Sequence, residues 1–314
     1  MDKINQYEVI LRALQSSRYV SGSTLGDNLK VSRTVVNRRL HELGDMGLRI
    51  HAVTGKGYHL DTQASLLQPE RIELPASYHF VRHLITGSTN DDVLSMARLS
   101  PRRLIVTTEY QSTGKGRRGR QWNNAFGQDL AVSVGFPIAG VEGLKPYSVI
   151  AGVAVAKGLS ALAGMPYVGV KWPNDLYVNG AKLGGILTEL HTLPQGQAYV
   201  VIGLGLNVNR RDFANIDQQA TSLCLLRRVG VDRTEVLQTV ISALTSLIDH
   251  GFEDAWMADW EAHDVLYGRE VTVQSGNDNL IGIAEGVASD GSLLVRGPTG
   301  VITVSGGEVS VRAR

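Results

Sequence analysis

Ile4, Tyr7, Leu11 and Leu14 recur at the spacing of one helix face, so the first predicted element is an amphipathic helix. Ser21 is placed to cap a short second helix that carries Leu25 and Leu29. Ser32 caps a third, with Val36, Leu40 and Leu43 inward and Gly44 and Gly47 marking its end. The other face of this third helix is a continuous polar stripe of Arg33, Thr34, Asn37, Arg38 and His41. Two short strands follow, over 48–53 and 58–60, joined by Thr54-Gly55-Lys56-Gly57. Helix, helix, turn, helix and a basic glycine-tipped hairpin is the order of a winged helix-turn-helix.

Residues 62–76 are polar, punctuated by Pro69 and Pro75, and read as a linker. Beyond His79, apolar or alternating runs bounded by turn residues predict strands over 104–109, 130–136, 167–178, 183–190 and 199–208. A buried helix is expected over 145–163 and a longer amphipathic one over 233–259. Strands that follow one another late in this segment argue for a mixed α+β sheet over strict βαβ alternation. From Leu266 on, VTV, LIGIAEGV, SLLV and VITV alternate with Gly, Asp and Asn and predict a small β-barrel. The expected organisation is therefore multidomain α+β, divided into 1–62, 63–78, 79–265 and 266–314.

Composition narrows the possibilities. With 314 residues, 43% of them hydrophobic and 19% charged, the chain belongs with ordinary globular proteins of two or three domains. The formal charge of +1 hides an asymmetry, because residues 1–61 carry +3 and the remainder −2. A polyanion is best sought at the N-terminal part. Cys224 is the sole cysteine, which excludes an intrachain disulfide and a thiolate metal cage, and its apolar flanks suggest a structural role. No stretch approaches the ~18 apolar residues of a membrane span, and MDKINQYEVILR lacks the apolar core of a signal peptide. A cytoplasmic location is expected.

The polar stripe has a bland explanation as a solvated helix face and a functional one as a DNA reader. Asn and Arg can read adenine and guanine edges bidentately. A capped helix N-terminus suits a phosphate, and Lys56 stands on the hairpin tip where a wing would meet the backbone. Ser32, Arg33, Thr34, Asn37, Arg38 and Lys56 are the DNA-binding candidates.

The stretch STGKGRRGRQW, residues 112–122, is the densest chemistry in the chain. Gly114–Gly119 formally matches G-x-G-x-x-G, but the residues after it lack the apolar helical period that a dinucleotide fingerprint needs. No phosphate-binding P-loop pattern occurs anywhere. The remaining alternatives are a basic surface loop and a loop that closes over a carboxylate and a phosphate. Other polar groups lie at similar edges: Gly87-Ser88-Thr89-Asn90, Lys171-Trp172-Pro173-Asn174-Asp175, Lys182 before an apolar run, and Gly203-Leu204-Gly205-Leu206-Asn207. The last has two glycines that could admit a planar ligand. There is no Ser–His–Asp pattern, no HExxH and no resident metal site.

In this order, and together with Glu109-Tyr110-Gln111 and Lys182-Leu183-Gly184-Gly185-Ile186-Leu187, these stretches resemble the biotin protein ligases. With the N-terminal winged helix, the chain resembles the bifunctional type that is also the biotin operon repressor. The basic glycine loop together with KWPND is the specific signature, because lipoate ligases share the catalytic fold without this pair. The resemblance implies a central ligase domain and an SH3-like C-terminal barrel. It implies that Ser88, Thr89, Asn90 and Gln111 hold the biotin ring and ureido group, and that Lys115, Gly116 and Arg117 belong to the loop over biotin and its adenylate. Lys182 would meet the biotin carboxylate and the α-phosphate, with Arg120, Asn174 and Asn207 on the ATP side. Lys182 and Arg117 are the catalytic candidates.

By the same resemblance, biotin, ATP and Mg²⁺ are the expected small molecules. A biotin carboxyl carrier protein, operator DNA and a second copy of the chain, dimerised by biotinoyl-AMP, are the expected partners. Two departures stand out. Lys115 replaces the family's first loop Arg, and Ala220-Thr221-Ser222-Leu223 offers no Trp for stacking on adenine. A repressor without ligase activity, and a ligase whose winged helix no longer binds DNA, are the competing readings.

Overall fold

The computed structural model of the chain describes residues 2–16, 18–60, 64–139, 146–194, 196–213, 218–252, 256–275, 278–305 and 309–313. At the N-terminus, α1 (Lys3–Ser16), α2 (Gly22–Leu29) and α3 (Arg33–Asp45) pack around Ile10, Leu11, Leu25, Val36 and Leu43. Both serines cap as expected: Ser21 Oγ accepts from Thr24 N at 3.0 Å and Ser32 Oγ from Val35 N at 3.4 Å. The antiparallel wing pairs β1 (Ile50–Val53) with β2 (Gly57–Leu60). The Tyr58 hydroxyl donates to Asn37 Oδ1, so the wing is tied to the polar face of α3.

The central sheet comprises β3 (Tyr78–Thr86), β4 (Arg103–Gln111), β5 (Leu130–Ile138), β6 (Gly169–Lys171), β7 (Asp175–Val178), β8 (Ala181–Thr192) and β9 (Ala198–Leu206). Its order is β3-β4-β5-β9-β8-β7-β6, with β3 and β4 parallel across α4 (Thr89–Leu99) and every other pair antiparallel. The mixed α+β sheet is as expected, but three elements differ from the sequence reading. The single strand expected over 167–178 is two strands, β6 and β7, because Pro173 has no N–H to give a ladder and the chain turns there. The helix expected over 233–259 is α7 (Arg233–Asp249) and α8 (Trp256–His263), interrupted where Gly251 and Phe252 take φ of +74 and +57. β3 has no counterpart among the strands expected from the sequence, since Arg82 and His83 break its apolar alternation.

The linker is docked on the central domain and not extended in solvent. Leu67 is buried and its N–H donates to Glu109 Oε1 at 2.7 Å, while Gln68 N and Glu73 N donate to Thr234 Oγ1 and Gln238 Oε1. Glu109 itself is fully buried between Arg82, 3.1 Å away, and Arg233, 2.7 Å away. Arg233 also donates to the backbone oxygens of Asp129 and Ser65. Two guanidiniums on one carboxylate, with the spare donors on carbonyls, satisfy charges that would otherwise be costly inside the protein.

The two faces of the sheet serve different purposes. Val200, Ile202, Leu204 and Leu206 of β9 join the main core with α5 (Tyr147–Ser160) and α7. The alternate residues, Tyr199, Val201, Gly203, Gly205 and Asn207, occupy the other face. Tyr199 and Val201 pack with Val93 and Ala97 of α4. Beyond α4 the side chains on this face shrink to glycines, and a hollow opens.

After α6 (Leu223–Arg227), α7 and α8, the chain ends in β10 (Glu270–Ser275), β11 (Asp278–Val287), β12 (Leu293–Gly297), β13 (Gly300–Val304) and β14 (Val309–Ala313). These five strands form an antiparallel sheet in the order β13-β12-β11-β10-β14. Buried Trp172 donates from Nε1 to Gly291 O at 2.9 Å, fastening this domain to the central one. Among the described residues no helix is long and apolar enough to cross a membrane.

Asp129, just before β5, is fully buried. Its Oδ2 accepts from Ala125 N at 2.9 Å and lies 3.8 Å from Arg210, while Oδ1 has no partner. Burial pushes this carboxyl up to about 6 from 3.8. The native state therefore holds the proton more tightly than the unfolded chain does. This residue's contribution to stability should fall by roughly 3 kcal/mol as pH rises from about 4 to about 6. Melting curves of Asp129→Asn should gain on wild type across that window, and a constant difference from pH 4 to pH 7 would refute the burial account.

Candidate active site

The hollow is floored by in-register residues: Gly205 of β9 faces Gly185 of β8, Gly185 faces Asp175 of β7, and Asp175 faces Lys171 of β6. Glycines here have a steric reason. A Cβ on Gly205 would stand 2.2 Å from Trp122 Cε2, and one on Gly203 would stand 2.1 Å from Asn90 Oδ1. The planar group that these glycines admit is thus the protein's own indole, together with an amide, where the sequence suggested a ligand.

The basic loop is a folded turn over this floor. Lys115 bridges to Gln121, Gly116 N donates to Arg120 O at 2.7 Å, and Trp122 N donates to Gly114 O at 2.8 Å. Arg118 and Gly119, at φ of +60 and +69, make the bend. Lys115 Nζ meets Asp91 Oδ1 in the first turn of α4 at 2.5 Å, so the lysine that departs from the family pattern latches the loop through a single-point contact. Arg117 Nη1 lies 3.5 Å from Asn174 Oδ1, and burial lowers the guanidinium's pKa from its ordinary value.

At one end of the hollow, Gln111 Oε1 accepts from Thr89 N at 2.9 Å and from Thr89 Oγ1 at 3.1 Å. That fixes the amide's orientation and leaves Nε2 as the end available to a ligand. Asn90 Nδ2 donates to Glu189 Oε2 at 2.6 Å, and Ser133 Oγ lies 2.6 Å from both Asn90 Oδ1 and Thr89 Oγ1. Ser88 precedes α4 without making a side-chain cap, so its buried hydroxyl is uncommitted to the helix. Glu189 and Ser133, which hold these cavity-lining groups, carry no motif that marks them in the sequence. Only the register of β8 and β5 brings them there.

Midway along the floor, Lys182 Nζ sits 2.7 Å from Asp175 Oδ1 and 6.0 Å from the Trp122 ring centre. Asn174 and Asn207 are held by their amides, Nδ2 donating to Ile186 O at 2.7 Å and to Thr221 O at 3.0 Å respectively. Residues 219–221 run beside Lys182, with Lys182 N on Gln219 O and Thr221 N on Lys182 O, both at 2.9 Å. This places Ala220 at the wall where an aromatic was missed.

Every residue picked from the sequence for small-molecule binding, from Ser88 to Asn207, lines this one cavity of about 1360 Å³. The DNA candidates lie elsewhere: Ser32, Arg33, Thr34, Asn37 and Arg38 are exposed at the start of α3, and Lys56 lies at the wing tip, 5.5 Å from the Tyr19 ring.

The family model for the biotin/lipoate A/B protein ligase family matches residues 85–207. An HTH domain model matches residues 7–59, and the biotin protein ligase C terminal domain matches 266–312. The bifunctional ligase/repressor BirA of Escherichia coli is 30% identical over 311 residues, which cover 97% of this chain and 96% of that one. The chain belongs to the biotin protein ligase family. The biotin--[acetyl-CoA-carboxylase] ligase of Mycobacterium tuberculosis is 32% identical over 233 residues, 71% of this chain and 85% of that one. Among solved structures, the biotin protein ligase from Aquifex aeolicus in complex with biotin and ATP shares the fold. Its TM-score is 0.63 at 24% identity, covering 75% of this chain and 99% of that one.

Proposed function

We propose that this chain activates biotin with ATP to biotinoyl-AMP, transfers the biotin to a lysine of a biotin carboxyl carrier protein, and represses a biotin operon. The observation that carries the ligase reading is the charge of the cavity. Its lining holds six cations and one carboxylate, Asp175, among the described residues, beside an end lined by Ser88, Thr89, Asn90 and Gln111. Such a site suits two anions, a carboxylate and a polyphosphate, and a polar ureido ring.

In this reading, Ser88, Thr89, Asn90 and Gln111 hold the ring, and Lys182 holds the carboxylate against the α-phosphate. Arg120, Asn174 and Asn207 face the nucleotide. A carboxylate oxygen of biotin attacks the α-phosphorus, the bond to the β-phosphate oxygen breaks, and pyrophosphate leaves with the electron pair. The acceptor lysine's amine then attacks the carbonyl of the mixed anhydride, and AMP departs. Both nucleophiles come from the substrates, so the protein's part is positioning and charge. The donor set fits Mg²⁺ bound mainly through phosphates, because Asp175 is the one lining carboxylate and no three-residue metal cluster occurs among the described residues. The ion would offset phosphate charge.

The loop's role is to keep water from the anhydride. Arg117→Gly removes a guanidinium that reaches across to Asn174. It should raise release of biotinoyl-AMP into solution roughly tenfold or more. Unchanged retention in a rapid-filtration assay would sink this role.

On the DNA side, Ser32, Arg33, Thr34, Asn37, Arg38 and Lys56 would meet the operator, with two chains bound as a homodimer on adjacent half-sites when loaded with biotinoyl-AMP. The domain limits 1–62, 79–265 and 266–314 are proposed on the same grounds. The deciding experiment is ATP-dependent transfer of biotin to a carrier domain, followed by operator binding with and without biotinoyl-AMP. No transfer by the folded protein would overturn the ligase reading, and no salt-sensitive operator shift would overturn the repressor reading.

A further inference from the structure

Two cations of the cavity lining outside the basic loop, Lys171 and Arg269, have no part in the scheme above. We propose that Arg269, carried by the C-terminal domain, grips the pyrophosphate end of ATP and thereby serves the first half-reaction alone. The proposal rests on the ligase reading and extends it across a domain boundary.

Position is the first argument. Lys182 Nζ hangs 3.5 Å from where a Cβ would stand on Gly185. From Gly185 the register runs through Asp175 to Lys171, two strand steps or about 10 Å. The next step is no longer the sheet. Val170 bridges to Asp264, and Val265 N donates to Val170 O at 3.1 Å. Val265, Leu266 and Arg269 then form the far wall of the cavity. A polyphosphate whose α-phosphate sits at Lys182 and whose remainder extends along this row runs past Lys171 towards Arg269.

Availability is the second. The other cations of the lining are already engaged: Lys115 with Asp91, Lys182 with Asp175, Arg117 with Asn174, Arg120 with the Arg117 carbonyl, Lys171 with the Tyr177 hydroxyl. The Arg269 side chain is exposed and makes no hydrogen bond or ion pair among the described residues. Its backbone, by contrast, is fixed. Arg269 N donates to Leu266 O at 2.9 Å, Ala284 N donates to Arg269 O at 3.0 Å, and Leu266 beneath it is buried. The Trp172–Gly291 bond holds the whole domain against the catalytic sheet. A guanidinium on a rigid base, with its fork unspent, is well suited to an oxygen-rich dianion.

Chemistry is the third. When the bond between the α-phosphorus and the bridging oxygen breaks, the electron pair stays on pyrophosphate and its charge rises. A cation at the far end stabilises that departure. Pyrophosphate is gone before the acceptor lysine arrives, so the second half-reaction has no use for the same contact. The competing occupant of this wall is the acceptor protein, since Tyr267 beside Arg269 is 65% exposed.

The test compares wild type, Arg269→Ala and Arg269→Lys in the two half-reactions separately, with melting temperatures to confirm folding. With biotin and Mg-ATP, Arg269→Ala should lose about 10- to 100-fold in kcat/KM for ATP while KM for biotin stays within about twofold. Inhibition by inorganic pyrophosphate should weaken in parallel, and Arg269→Lys should recover part of both. Transfer from preformed biotinoyl-AMP to the acceptor domain should match wild type within about twofold. Unchanged ATP kinetics, an equal loss in both half-reactions, or a loss confined to transfer would each overturn the proposal, the last by assigning Arg269 to the acceptor. Wild type that releases no pyrophosphate would instead remove the ligase reading itself.

Discussion

Lys182→Ala should release pyrophosphate from biotin and ATP about a thousandfold more slowly than wild type. Two effects add. The substitution removes the ammonium poised over the centre of the cavity floor, where two substrate anions must be brought together. It also strips Asp175 of the partner that sits 2.7 Å away in a part-buried site. The remaining carboxylate then repels both substrates, so loss of binding and loss of rate should appear together. Lys182→Arg keeps the charge but cannot place it at the same point, and should recover only a fraction. Helix α3 and the wing do not touch this residue, so operator binding by the unliganded variant should match wild type. Substantial adenylation by Lys182→Ala would remove the residue from the mechanism.

Gly205→Ala, a single added methyl, should lower biotinylation about a hundredfold. The methyl would stand 2.2 Å from the Trp122 ring, and Trp122 cannot retreat without pulling on the Gly114 carbonyl that its backbone N–H holds at 2.8 Å. The expected result is a loop lifted from the floor with the core intact behind it. Overpacking of this kind costs about 1–3 kcal/mol in stability, too little to unfold a typical domain. Limited trypsin digestion reads the difference, because Arg117, Arg118 and Arg120 in the displaced loop should be cut early while the sheet survives. Full activity and wild-type resistance to trypsin would show that Trp122 has no fixed seat.

The sequence carried the local chemistry well and the long-range geometry poorly. Ser21 and Ser32 were legible as caps because a cap is a local event, set by a hydroxyl and amides within one turn. The cavity residues were legible as motifs, and the structure collects all of them around one cavity. What holds them was hidden. Ser133 is one more polar residue in an apolar strand, and Glu189 an ordinary charge near a strand end, until register sets both against Asn90. Arg82 likewise disguised β3, since its place as the part-buried partner of Glu109 depends on a strand 27 residues away. The breaks at Pro173 and Gly251 are marked by residue type, but the apolar runs on either side keep the period of one continuous element.

The segment that follows the basic loop has one more effect. Phe126 is fully buried in the core of the helix-turn-helix domain beside Leu84 and Ala64, its N–H donates to Met46 O at 3.0 Å, and Gln128 Nε2 donates to Gly47 O at 2.8 Å. A shortened enzyme made by trimming the first 62 or so residues would therefore carry an apolar scar at its new surface. Phe126 and Leu84 would face water, and the Phe126 backbone and the Gln128 side chain would each lose a hydrogen-bond acceptor. Anyone wanting the catalytic half alone as a labelling reagent would have to redesign that seam, because the chain can be cut between its domains but its core cannot.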